Sequence, residues 1–182
     1  MTNTFVQLIS TGLEGAVGDY QVISRLAHRD VKPKEDQIKC HIFKSFTDAG
    51  YRVHVEAAGV DKGSRTDISV ISKSEDSYVS HIEIKTAWAA TGWNNKPREQ
   101  FSSWRKDVEK LRKTDSASNM ENYFVLLVAC EENSIAQDAL CDVRKQLSAL
   151  DGVEELVVSP VSKMADWNRL DAIQYFIFQI AA

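Results

Sequence analysis

Residues 65–85, RTDISVISKSEDSYVSHIEIK, decide how the rest of the 182-residue chain is read. Two alternating runs, Asp67 to Ile71 and Val79 to Thr86, flank a polar segment from Ser72 to Ser77. That pattern predicts two strands joined by a hairpin connection. A hairpin symmetric about Glu75 sets Asp67 directly opposite Glu83, because the two are equidistant from it. Side chains alternate faces along a strand, so Glu83 and Lys85 share a face and Asp67 joins them from the neighbouring strand. Cross-strand neighbours approach to about 5 Å at Cβ, close enough for two carboxylates to share a divalent cation. Like charges side by side destabilise a sheet, and a cation is the usual reason to tolerate them. The stretch therefore predicts a metal site with an ammonium beside it.

Working outward towards the N-terminus, Tyr51 to Ala57 alternates as a further strand, separated from the hairpin by a turn between Gly59 and Gly63. Glu56 at its end is a reserve acidic candidate. Before it, Pro33 fits the first turn of a helix over Lys34 to Ala49, closed by Gly50. Ile38, Ile42, Phe46 and Ala49 recur at the spacing of one buried stripe. Glu35 falls on that apolar face, where a carboxylate needs an ion or a basic partner, whereas Asp36 lies about 100° away on the exposed side. An N-terminal helical extension covers residues 5–31, with a candidate helix from Leu13 to Ala27 weakened by Gly15 and Gly18.

Towards the C-terminus, residues 86–97 read as a loop carrying Trp88 and Trp93, whose default role is to cap the core. A helix then runs from Pro97 to about Lys113 with Phe101, Trp104, Val108 and Leu111 facing inward. Tyr123 to Cys130 is an unbroken apolar run, the mark of a strand buried on both faces. An amphipathic helix over Ser134 to Leu150 and strands over Val153–Ser159 and Tyr175–Ile180 complete the pattern. The expected class is α/β, with a central mixed sheet flanked by helices in a single domain.

Asp67 followed by Glu83-Ile84-Lys85 resembles the core motif of the PD-(D/E)XK nuclease superfamily, the fold of many restriction endonucleases, junction resolvases and phage or repair exonucleases. Thr66 stands where the motif's name has proline, a position that does no chemistry. The element order over residues 33–158 matches the superfamily's αβββαβ core, so the resemblance implies a restriction endonuclease-like fold. It further implies a Mg²⁺-dependent deoxyribonuclease, with Mn²⁺ as a substitute ion. In that reading the ligands are Asp67, Glu83, the backbone carbonyl of Ile84 and Glu35, which either completes the shell, directly or through water, or helps to hold a second metal. Lys85 orients or deprotonates the attacking water, or stabilises the transition state, with a pKa lowered near the metal. His81 lies on the same face as a candidate proton shuttle. Arg98 and Gln100 match a position at the start of the following helix that many members fill with Gln, Lys or Arg, and Asp107 to Leu111 resembles a D-x-x-K-L ending. The alternative is a nuclease-like module that binds DNA or protein without cutting.

The global charge of −4 argues against nucleic acid, but residues 96–113 hold seven Lys and Arg against three Asp and Glu, so that segment is +4 and the remainder −8. A local patch governs docking on phosphates more than the global sum. Arg65, Arg98, Gln100, Arg105 and Lys106 are the candidate nucleic-acid contacts, although a solvated helix face is the default for the basic residues beyond Arg98 and Gln100. No apolar run approaches the roughly 20 residues that span a bilayer, and the first ten residues lack the basic start of a secretion signal. Three cysteines without a C-x2-C pair suggest reduced, mostly buried thiols in a reducing, cytoplasmic setting. DNA is the expected partner, and either a homodimer or a subunit role in a larger assembly is compatible with the chain.

Overall fold

The architecture is that of a computed structural model, which describes residues 3–26, 34–58, 65–89, 97–113, 120–130, 134–167 and 170–181. The elements are α1 (Thr4–Leu26), α2 (Glu35–Asp48), β1 (Arg52–Ala58), β2 (Arg65–Ile71), β3 (Tyr78–Ala89), α3 (Pro97–Lys113), β4 (Glu121–Cys130), α4 (Ser134–Ser148), β5 (Val153–Val158), β6 (Ser162–Trp167) and β7 (Leu170–Ile180). The strands form one seven-stranded mixed sheet in the order β1-β2-β3-β4-β7-β5, with β6 also on β7. The class is α/β, as the patterning requires.

Away from the turn the hairpin pairs symmetrically about Glu75, with Ile68 opposite Ile82, Ser69 opposite His81 and Val70 opposite Ser80. A register shift after Val70 sets Ile71 opposite Tyr78 and breaks the expected symmetry nearer the turn. Apolar residues sort by parity onto the two faces. Ile68, Val70, Ile82 and Ile84 pack with Ile38, Ile42 and Phe46 of α2 and the inner stripe of α1. Phe124, Leu126 and Val128 face the other way, towards Trp104, Val108 and Leu111 of α3 and Leu140, Val143 and Leu147 of α4. Asp67, Glu83 and Lys85 have the second parity and lie on the α3 side. β4 is buried on both faces from Asn122 to Cys130, as its unbroken apolar run predicts.

Several expectations are corrected. β3 continues to Ala89, because Thr86 to Ala89 pair in parallel with Leu127 to Cys130, so the loop expected over 86–97 begins later. β7 starts at Leu170 and lies between β4 and β5, which extends the core beyond the expected limit of 158. β6 had no signal: its sequence, SKMADW, mixes polar and apolar residues without a period of two. Cys40 is exposed, on the side of α2 away from the Ile38–Ile42 stripe, while Cys130 is buried as expected. Pro33, the 59–63 turn, Trp93 and the side chain of Trp88 lie outside the described residues.

α1 is one helix of 23 residues rather than the shorter segment from Leu13. Its glycines are contact points. A Cβ on Gly12 would lie 2.7 Å from the Ile42 Cα, so the α1 and α2 backbones approach where only hydrogen fits. Backbone cannot swing aside as a side chain can, so Gly12→Ala is expected to destabilise the fold by about 1–3 kcal/mol, read as a lower urea midpoint at unchanged slope. Gly18, with nothing near its Cβ position, serves as the control, since Ala there removes a helix-weakening glycine without a clash. At the far end of α2, Gly50 takes φ +83° to turn the chain into β1, and its N–H donates to the Thr47 carbonyl at 2.9 Å.

Candidate active site

The site forms where β2 and β3 part. Their last pair is Ile68–Ile82, and one step further the Ile84 N–H donates to the Asp67 Oδ2 at 2.7 Å. The carboxylate thus takes over as acceptor where the ladder ends. A residue's N–H and C=O point to the same side of a strand, so the Ile84 carbonyl also faces β2 and this opening. Ile84's side chain is fully buried against α2.

Glu83 is the most deeply placed acid, its side chain 4% exposed. Lys85 donates to its Oε1 at 2.9 Å and Lys110 of α3 to its Oε2 at 2.6 Å. Lys110 also donates to the Arg65 carbonyl at 2.6 Å, tying α3 to the start of β2. Asp107, one helical turn before Lys110, stands 3.5 Å from Lys85. From the opposite side, α2 contributes Lys39, whose Nζ lies 2.9 Å from the Asp67 Oδ1 and donates to Glu56. Glu35, a turn before Lys39, is half-buried, accepts the Thr86 N–H and is electrostatically coupled to Lys85, Asp67 and Lys39.

The titration of these groups follows from that crowding. Burial pushes the Glu83 carboxyl up, the Asp67 charge adds to the push, and Lys85 and Lys110 oppose it without cancelling it. Glu35 is likewise raised by burial and by Asp67, against the pull of Lys85, the Thr86 N–H and Lys39. For Lys85, burial favours the neutral amine, but Glu83, Asp107 and Glu35 outweigh it and raise the pKa. The lowered Lys85 pKa expected from the sequence is tied to a neighbouring metal, and the protein's own groups act in the opposite direction. Lys39 behaves in the same way, with Glu56 and Asp67 overcoming its burial.

Four sequence-derived residues, Glu35, Asp67, Glu83 and Lys85, are thus brought together. Among the described residues, the side chains of the nucleic-acid candidates Arg65, Gln100, Arg105 and Lys106 are not drawn into the cluster. Arg65 is exposed and contributes its carbonyl. Arg105 is exposed and pairs with Glu109, about 200° around the helix from Asp107, and Lys106 is exposed. Gln100 is partly buried, and its Oε1 is a buried acceptor with no hydrogen-bond partner among the described residues. The Arg98 side chain lies outside the described residues. His81 is buried with Nδ1 2.7 Å from the Ser69 Oγ and its ring 5.3 Å from that of Tyr78, so that nitrogen serves the sheet.

Sequence reading missed Lys39 and took Lys110 for a solvated residue. The signals were there: Lys39 is four residues after Glu35 and adjoins Ile38, and Lys110 is three after Asp107. Each shares a helix face with an acid already suspected.

Hard oxygen donors on Asp67, Glu83, Glu35 and the Ile84 carbonyl suit Mg²⁺ or Mn²⁺ in chemistry. The mutual repulsion of Asp67, Glu83 and Glu35 is what a cation would relieve. Among the described residues, no three His, Cys, Asp or Glu side chains are grouped to hold an ion as they stand. The oxygens instead carry ammonium and N–H donors, which an incoming ion would displace. The donor set fits a divalent cation on that condition. Among the described residues no helix is long and apolar enough to cross a membrane. Comparison with protein-family models, curated proteins and solved structures found no match to this chain.

Proposed function

We propose that the chain is a divalent-cation-dependent deoxyribonuclease, an endonuclease of the restriction or phage and repair type on a PD-(D/E)XK core. The observation that carries this reading is the meeting of Glu35, Asp67, Glu83 and Lys85, from one helix and two strands, at a single break in the sheet. In hydrolysis a water loses a proton and attacks phosphorus, the P–O bond to the leaving oxygen breaks, and that oxygen takes up a proton. Mg²⁺, or Mn²⁺ in its place, held by Asp67, Glu83, the Ile84 carbonyl and Glu35, would supply a more acidic water and offset the charge developing on the phosphate. The chain's own contribution is positioning. Lys85, held by Glu83 and Asp107, aims an ammonium at the oxygens where charge grows. Lys110 fixes the second oxygen of Glu83, so the carboxylate cannot rotate. DNA is the substrate, and cutting both strands of a duplex would take two such centres, from a homodimer or a larger assembly.

A second reading is a nuclease-like module that binds DNA or protein without cutting. It is favoured by the occupied carboxylates, since Asp67 and Glu83 have their charge balanced by lysines already. The two part on one assay of linear, circular and branched DNA in Mg²⁺ or Mn²⁺. The nuclease cuts at least one substrate, and cutting stops with EDTA and in Asp67→Ala. Folded protein that cuts none of them but retards the same DNA in a gel-shift assay would favour the second reading instead.

A further inference from the structure

Lys39 stands in an unusual place for a lysine. It is 9% exposed on the inner side of α2, a burial that an ammonium tolerates only with close anionic partners. It has three. Asp67 Oδ1 is 2.9 Å away, Asp36 Oδ1 is 3.6 Å away, and Glu56 accepts a hydrogen bond. Glu56 reaches it through a strained backbone, with φ +57° in the left-handed region that residues with a Cβ avoid. The β1–β2 ladder pairs Val55 with Ile68 and Ala57 with Thr66, and skips Glu56 and Asp67 between them. Such strain costs about 1–3 kcal/mol and persists where the surroundings hold it in place. Here it delivers a second carboxylate to the ammonium that Asp67 already faces.

Asp67 is the shared member. One of its oxygens faces β3, where it accepts the Ile84 N–H and looks onto the Glu83 side of the site, and the other faces Lys39. A carboxylate placed between two positive positions is the arrangement found where two metal ions sit about 3.5–4 Å apart. In this protein one of those positions is filled by the chain itself. The formal charges agree. Leaving out Asp36, whose side chain is 93% exposed and screened by water, Glu35, Glu56, Asp67, Glu83 and Asp107 set five carboxylates against the three ammoniums of Lys39, Lys85 and Lys110, a net of −2 that one divalent cation neutralises.

We propose that Lys39 is a tethered cation occupying the second cation position of the centre, between Asp67 and Glu56, so that the protein takes one divalent ion and not two. The inference rests on the metal-dependent reading above and adds to it the ion count and the residue that sets it.

The test counts Mn²⁺ bound per chain, from the spectrum of unbound Mn²⁺ in an electron paramagnetic resonance titration, with folding followed by circular dichroism. Wild type and Lys39→Arg, which keeps the charge, bind one ion. Lys39→Ala binds two, and the second ion is lost again when Glu56→Gln is added. Lys39→Met keeps the aliphatic stem that packs in α2 and carries the same expectation should the alanine variant not fold. Two ions in the wild type would overturn the proposal whatever the variants do, and so would one ion in folded Lys39→Ala or Lys39→Met. Folded wild type that binds no Mn²⁺ would end this proposal together with the metal-dependent reading. A wild type that cuts DNA with two ions bound would end this proposal alone.

Discussion

Lys85→Met lowers the rate of DNA cleavage by about 10²–10³-fold, the range lost when one preorganised donor to developing charge is removed, while Mn²⁺ affinity stays within a few-fold. The expectation comes from where the ammonium is held. Lys85 projects from the same face of β3 as Glu83, which it contacts at 2.9 Å, and Asp107 steadies it from α3 at 3.5 Å. It donates to the acid without being a ligand, so removing it leaves the oxygen donors in place and takes away an ammonium held beside them. Methionine retains most of the side-chain volume, which separates loss of the charge from loss of packing. Lys110 is the internal comparison, because it offers an ammonium to the other oxygen of Glu83. If Lys85→Met cuts within tenfold of wild type while Lys110→Met does not, the catalytic ammonium comes from the helix.

Lys110→Met costs about 2–4 kcal/mol of folding stability, measured by urea denaturation, with little of that loss at acidic pH. Removing one partner of a buried ion pair typically costs about 3–5 kcal/mol, because the remaining charge stays buried without compensation. Lys85 still serves Glu83, which moderates the loss, but the Arg65 carbonyl also gives up its 2.6 Å donor. The pH dependence follows from Glu83. Its folded carboxyl is raised by burial and by Asp67, with Lys110 among the groups holding it down. Without Lys110 the folded pKa climbs further above the unfolded one. A carboxyl raised in the fold favours folding while protonated, below the ordinary carboxylate range, and loses that advantage as pH rises through the folded value. The variant's deficit therefore widens as pH rises from the ordinary carboxylate range, and closes again on acidification. A deficit that is the same at every pH would mean that Lys110 acts through the Arg65 carbonyl and α3 packing, not through Glu83.

The hairpin was legible because its evidence is local. A period of two fixes which side chains share a face, and the symmetric polar segment fixes which residues are opposite, so the Asp67–Glu83 juxtaposition followed from counting. Glu35 was legible for a related reason, since a helical stripe has to end somewhere and an acid on it is conspicuous. Lys39 and Lys110 were not legible, because a lysine on an amphipathic helix is by default in water. Only the packing of α2 and α3 against opposite sides of the break in the sheet makes them partners of one acid cluster. The placement of β7 between β4 and β5 was equally hidden, as a strand's own pattern does not name its neighbour. Gly15 misled in the other direction, counting against the helix when it is a point where α1 packs on α2, a Cβ there falling 2.8 Å from the His41 Nδ1.

The insertion of β7 has a kinetic side. β4 gains its parallel neighbour β3 through the crossover of α3, but its other edge is closed only by β7, with Cys130 pairing to Ala172 and Asn122 to Ile180. Contacts so distant along the chain form late, after the entropy of closing the loop has been met. Until then the most apolar strand of the protein, YFVLLVAC, presents an open row of N–H and C=O groups. An edge of that kind is a template for another chain. The β2–β3 hairpin, by contrast, closes on itself over a few residues. Refolding thus races the arrival of one late strand against the meeting of two half-built sheets, and protein concentration decides which comes first.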